Sequence, residues 1–258
     1  MSTVVVTGGT GTLGREVVRG LQADGHDVVI TSRKAPPSVR DRVRTVRVDY
    51  HSPVALRAAF EGADTVVHCA TRLAGQQGGD VDLGGRVFDA ARGAGCGHLV
   101  YISIVGVDRI PLRYYQAKLE TERLVEDCGL PWTILRATQF HELVVRLLNG
   151  LTRPPLALIP DIAMQPIAAA EAGARLAELA AARPAGRVPD LGGPEIVAAP
   201  RLARWYLEAT GRRRRIRPIR LFGSVYEAYR AGHHLTPANA AGTITFQDYL
   251  DARVRPLR

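Results

Sequence analysis

Lysine is almost missing from this 258-residue chain, which has two, Lys34 and Lys118, against 32 arginines. Cysteine is scarce as well. Cys69, Cys96 and Cys128 are far apart and odd in number, with no Cys-x-x-Cys pair and no His/Cys ligand spacing. That argues for reduced thiols in a cytoplasmic setting and against a structural zinc site, so no metal is expected. No uncharged apolar run reaches the ~18 residues of a membrane-spanning helix, so no membrane partner is expected. The opening Met1-Ser2-Thr3-Val4-Val5-Val6 lacks the basic and apolar regions of a secretory leader, which again points to the cytoplasm. At 46% hydrophobic and 23% charged residues, disorder is excluded. The length suits one large domain or two small ones.

Acidic residues are in deficit, and unevenly so. Residues 1–150 carry 16 Arg and two Lys against 16 acids, or +2, while residues 151–258 carry 16 Arg against nine acids, or +7. Six of those arginines fall within residues 212–220. Such a run can serve a nucleic acid or a membrane surface. No interleaved aromatics or recognition-helix pattern accompany it here. It reads better as a solvated loop leading into a short strand, with Ile216 and Ile219 facing inward, and nucleic acid is not an expected partner.

What is present is an alternation of two periodicities over the first 150 residues. Thr3–Thr7, Asp27–Thr31, Val43–Val48, Asp64–Cys69, His98–Ser103 and Trp132–Arg136 are short β-branched or apolar runs, the mark of buried strands. Helical spacing follows most of them: Leu13, Val17, Val18 and Leu21 after the first, then Val54–Phe60 with Ser52 as N-cap and Pro53 in its first turn. Further helices are expected over 80–94, 113–127 and 139–149. Strand and helix at this rhythm predict an α/β fold, a Rossmann-type doubly wound parallel sheet covered on both faces. After residue 150 the pattern loosens at Pro154, Pro155, Pro160 and Pro166. Helices are expected over 168–182, 200–210, 223–231 and 246–254. Residues 1–150 therefore read as an α/β core. Residues 151–258 read as a small C-terminal substrate lobe integrated with that core.

The first strand runs directly into Thr7-Gly8-Gly9-Thr10-Gly11-Thr12-Leu13-Gly14, which opens the first helix. Gly8 permits a tight turn, Gly11 lets the backbone approach a diphosphate, and Gly14 allows close helix–strand packing, while the helix N-terminus offers free N–H groups to the anion. An acid at the end of the second strand would hold the 2′-hydroxyl of NAD. This chain instead has Thr31-Ser32-Arg33-Lys34. Arg33 suits a 2′-phosphate with its fork, Ser32 and Lys34 can assist, and NADP(H) is the expected cofactor.

Tyr114-Tyr115-Gln116-Ala117-Lys118 contains a Tyr-x-x-x-Lys spacing, which puts both side chains on one helix face. A phenol is a weak acid at neutral pH, and a nearby ammonium strengthens it. Lysine also has donors to spare for a ribose hydroxyl. Tyr115 is the adjacent alternative to Tyr114. Ser103 ends a strand at the sheet edge where such folds bind ligands, and its hydroxyl can polarise a substrate carbonyl.

The Thr-Gly-x-x-Gly-x-x-Gly turn with this Ser–Tyr–Lys set resembles the short-chain dehydrogenase/reductase superfamily. The Gly8–Gly14 opening, the basic end of strand two and Gly129-Leu-Pro-Trp-Thr-Ile-Leu-Arg-Ala137-Thr-Gln139-Phe140 resemble its atypical, NmrA-like branch. That resemblance implies further cofactor contacts from Thr10, Thr12, Leu13, Asp49, Tyr50, Cys69, Ala70, Thr71 and Ala137, and a substrate border at Gln139, Phe140 and His141. Asp49 on its own would cap a turn. The implied activity is NADPH-dependent hydride transfer to a carbonyl, quinone or conjugated enone of an apolar small molecule. The alternatives are a non-enzymatic NADP(H)-sensing regulator and an NADP-containing isomerase, dehydratase or cyclase. Oligomerisation is open.

Overall fold

A computed structural model describes residues 1–34, 38–71 and 79–253. The elements run β1 (Thr3–Thr7), α1 (Thr12–Ala23), β2 (Asp27–Ser32), β3 (Ser38–Arg40), β4 (Val43–Arg47), α2 (Pro53–Phe60), β5 (Thr65–His68) and α3 (Asp80–Gly93). Next come β6 (His98–Ile104), α4 (Arg113–Asp127), β7 (Trp132–Ala137), α5 (His141–Leu151), β8 (Leu156–Pro160), β9 (Ala163–Met164) and α6 (Ala169–Ala181). The described chain closes with β10 (Gly186–Arg187), β11 (Val197–Ala198), α7 (Ala199–Ala209), β12 (Arg215–Ile219), α8 (Ser224–Arg230) and α9 (Phe246–Arg253).

Eight strands form one sheet in the order β10-β7-β6-β5-β1-β2-β4-β3, parallel except for the edge pair β3–β4. The order reverses beside β1. The chain builds outward from β1 through β2 to β4, then crosses back to place β5 on the other flank of β1. A crevice opens beyond the carboxyl ends of β1 and β5 at such a reversal. The register aligns Val29, Val5, Val66 and Leu99 in one row across four strands. These four belong to one buried cluster with Leu56 and Phe60 of α2, Val87 and Phe88 of α3 and Val125 of α4. Each fully buried side chain of this size contributes about 1.5–3 kcal/mol of transfer free energy, which is why the β-branched runs of the sequence form inner strands. The Ser52 hydroxyl accepts the Ala55 N–H at 3.3 Å and caps α2 in front of Pro53.

Two compact units share the chain, and they interleave rather than divide at residue 150. The first holds Met1–Ser103, Arg113–Arg136 and Ala170–Pro189; the second holds Ile104–Leu112, Ala137–Ala169 and Asp190–Arg258. The reason lies in the alanine-rich α6, which returns to pack on α1. A Cβ on Gly173 would sit 2.9 Å from the Glu16 carbonyl carbon, and one on Gly20 would sit 2.9 Å from Ala177 Cβ. Small residues on both helices permit the close approach. β10 then pairs in parallel with β7 and extends the sheet. The second unit has its own core of Val144, Leu148, Ala157, Ile159, Leu202, Tyr206 and Phe246, under the parallel pair β8–β12 and the antiparallel pair β9–β11. β8 is absent from the sequence reading because its prolines look like breaks. Pro160 closes the strand, where a missing N–H costs little.

Candidate active site

The glycine turn after β1 is built for close approach. Gly8 has φ +71°, and a Cβ there would lie 2.7 Å from the Ala70 amide nitrogen. A Cβ on Gly14 would run into the Gly8 carbonyl oxygen and come within 2.7 Å of Gly9 Cα. The Gly11 N–H donates to the Gly8 carbonyl at 2.9 Å and locks the turn. No side chain caps α1, and its first turn holds no acid, so its N-terminal N–H groups are open to an anion.

A pocket of about 270 Å³ lies over this turn. Gly8, Thr10 and Gly11 form one wall, Thr31, Ser32, Arg33, Lys34 and Tyr50 another, and Cys69, Ala70, Thr71 and Leu83 a third. Arg33 and Lys34 are exposed at its rim, where a phosphate would meet both cations. Most of the cofactor residues expected from sequence meet here. Leu13 and Gly14 are buried beneath the turn, and Thr12 is exposed at the start of α1. Asp49 is exposed, and its carboxylate accepts the His51 N–H at 2.9 Å, so it caps its own turn. Tyr50 is held by the Thr31 hydroxyl at 2.7 Å. Thr31 and Leu83 are lining residues that the sequence reading missed. Ala137 falls in the second unit, where its carbonyl accepts the Val105 N–H at 3.1 Å.

Thr71 connects this pocket to the helix α4 side chains. Its hydroxyl donates to the Asp80 carboxylate at 2.7 Å and lies 3.5 Å from the Tyr114 hydroxyl. A threonine has one proton to give, so with that proton on Asp80 the phenol is the donor to Thr71. Asp80 also faces Lys118 Nζ at 3.5 Å, with both side chains buried. Lys118 lies 5.0 Å from the centre of the Tyr101 ring. Burial opposes its charge, but neighbouring oxygens, among them the Asp80 carboxylate at 3.5 Å, outweigh that effect and hold its pKa above the ordinary lysine value. It is therefore cationic at neutral pH. Asp80 carried no signal in the sequence beyond opening a helix, because its partner is remote along the chain.

Of the two tyrosines, Tyr115 is buried, while Tyr114 is partly exposed and reaches Thr71. Ser103 is buried at the end of β6, and its Oγ makes no hydrogen bond with another described residue. An orphaned buried hydroxyl is costly and calls for a partner. Gln139 and His141 make their contacts inside the second unit: the Gln139 amide donates to the His234 carbonyl at 3.3 Å, and His141 Nε2 meets the Ile244 carbonyl at 3.1 Å. Phe140 is partly exposed and N-caps α5. No group of three or more His, Cys, Asp or Glu among the described residues is placed to hold a metal ion. Nor is any described helix long and apolar enough to cross a membrane.

His68 is buried within reach of the Lys118 charge. It ends β5, bonds the Thr7 hydroxyl at 2.7 Å and stacks on Tyr101 at 5.8 Å. Burial, reinforced by the Lys118 charge, drives its pKa from 6.5 to about 3. The folded protein thus refuses a proton that the unfolded chain accepts near 6.5, so stability is full above that pH and drains as pH falls toward 3. The loss from this one group is of order a few kcal/mol. Thermal unfolding between neutral pH and pH ~4 should show a steep acid limb that His68→Asn flattens. An unchanged limb would assign it to other groups.

The sequence profile of the NAD(P)H-binding family matches residues 8–143. A (4-alkanoyl-5-oxo-2,5-dihydrofuran-3-yl)methyl phosphate reductase of Streptomyces griseus is 30% identical over 205 residues, covering 76% of this chain and 70% of that protein. Quinone oxidoreductase 2 of Escherichia coli is 28% identical over 160 residues, covering 60% of this chain and 53% of that one. An uncharacterized Mycobacterium tuberculosis protein is 30% identical over 133 residues, or 52% of this chain. The chain spans only 14% of that protein's length, and about half of the quinone oxidoreductase's. A crystal structure of the Escherichia coli NADPH-dependent quinone oxidoreductase with NADPH shares the fold, with a TM-score of 0.78 at 18% identity over 96% of this chain and 99% of that one.

Proposed function

Because this chain belongs to the NAD(P)H-binding family, we propose that it is an NADPH-dependent reductase of the short-chain dehydrogenase/reductase type. Its substrate would be a carbonyl, quinone or conjugated enone of an apolar small molecule. The observation that carries this reading is Thr71, which lines the nucleotide pocket and also meets the Tyr114 hydroxyl. A cofactor that is only sensed needs no proton donor beside it. The reductases among its relatives, for a quinone and for a furanone-derived phosphate, favour the same chemistry.

The nicotinamide, when bound, supplies the hydride. Tyr114 gives a proton to the oxygen of the reduced substrate. Lys118, one helical turn on, offers its positive charge to the phenolic oxygen left behind, and Asp80 fixes the lysine's position. Ser103 donates its unclaimed hydroxyl proton to the substrate oxygen and polarises it. Arg33 and Lys34 hold the 2′-phosphate.

Mixing the protein with NADPH and a panel of quinones, enones and aldehydes should deplete the reduced-nicotinamide absorbance. No depletion with any of them would overturn the reductase reading in favour of sensing or of isomerisation. Arg33→Ala should weaken NADPH about tenfold or more while leaving NADH nearly unaffected, measured by fluorescence titration. Equal weakening of both would remove Arg33 from the 2′-phosphate.

A further inference from the structure

The outer face of the β8–β12 sheet carries chemistry that the nucleotide site does not use. The strands pair with Leu156 opposite Arg215 and Leu158 opposite Arg217. Alternate residues of a strand point the same way. Ala157 and Ile159 therefore enter the core of the second unit, while Leu156 and Leu158, each 44% exposed, stand outside with the two arginines. The chain leaves β12 through Arg220 and Leu221 to Phe222, which is 97% exposed. Single exposed leucines are ordinary, but apolar side chains gathered on one segment mark a contact surface.

Cations border that surface. A groove of about 1120 Å³ between the end of α7 and the start of β12 is lined by Arg204 and Arg212–Arg215, with Glu208 its one acid among the described residues. Arg212 is tied to Asn149 Oδ1 at 3.2 Å and to the Thr152 carbonyl at 3.0 Å. The guanidinium groups of Arg204, Arg213 and Arg215 make no hydrogen bond or ion pair with another described residue. Like charges crowded this way repel, and an external anion relieves them.

We propose that this face docks on the surface of an anionic phospholipid bilayer. The arginines meet headgroup phosphates, and Leu156, Leu158 and Phe222 reach the acyl boundary. A second copy of the chain across a two-fold axis would set the same arginines against one another. A nucleic acid would engage the guanidinium groups and leave the leucines in water. An anionic bilayer satisfies both sets.

The test is co-sedimentation of the full chain with vesicles of phosphatidylglycerol and phosphatidylcholine, and with vesicles of phosphatidylcholine alone. The protein should pellet with the anionic vesicles only, and less as salt is raised. Phe222→Ser and Leu158→Ser should each weaken binding about tenfold, because each removes a buried apolar contact. NADPH affinity, measured on the same variants, should be unchanged and reports that they are folded. Failure to pellet with anionic vesicles overturns the proposal, as does pelleting that ignores both substitutions. A dimer in sedimentation equilibrium that Leu158→Ser dissociates would give the face to a second copy instead. Duplex DNA bound by a chain that does not pellet with anionic vesicles would give the face to a nucleic acid and overturn it too.

Discussion

Tyr114→Phe is expected to lower turnover by about 10²–10⁴-fold while leaving NADPH affinity unchanged. The substitution removes one oxygen and little else, since the ring keeps its contact with Tyr115 at 6.3 Å between centroids. The lost group is the one that bridges α4 to Thr71 at the pocket wall. Tyr115→Phe is the matched control. That ring is buried, and its substitution should change turnover only a few-fold. Steady-state kinetics on the two variants, with cofactor affinity measured separately, decide the matter. Full activity in Tyr114→Phe together with loss in Tyr115→Phe would transfer the proton to the neighbour.

Separating Lys118 from Asp80 should be strongly destabilising. Both side chains are buried, and each is the other's counter-charge. Lys118→Met leaves a carboxylate in a dry site, and Asp80→Asn leaves an ammonium there, each at a cost of about 3–5 kcal/mol. The double variant Asp80→Asn/Lys118→Met removes both charges and should recover most of that loss, because the penalty belongs to the unpaired ion rather than to the missing bridge. Urea midpoints of the three variants measure it. Turnover should stay lost in both proteins that lack Lys118, so stability and activity part company in the double variant. Additive losses of stability would mean that the two residues do not act as a pair.

The inner strands and the helices between them were legible because their side chains obey one period each: Val4–Val6 and Val66–Val67 are buried on both faces, and Leu13, Val17 and Leu21 recur on one. The glycine turn was legible too, since Gly8 and Gly14 occupy places where a Cβ has no room. Less was visible where partners are remote in sequence. Nothing local announced that Asp80 would neutralise Lys118 or that His68 would be pressed against Tyr101. Asp49 shows the converse, since its turn-capping bond to His51 is local. Prolines hid β8, and small residues hid the packing of α6 on α1, because neither strand ends nor close helix crossings leave a periodic trace.

That crossing sets a timetable for synthesis. When residue 150 has left the ribosome, the sheet still ends at β7, whose edge awaits β10, and α1 still lacks the helix that covers it. The nascent nucleotide-binding core must stay partly open, its β7 edge unpaired, while the intervening segment of the second unit is translated. Vulnerability to aggregation is therefore concentrated in the interval between residues 150 and 187, well before the chain is finished.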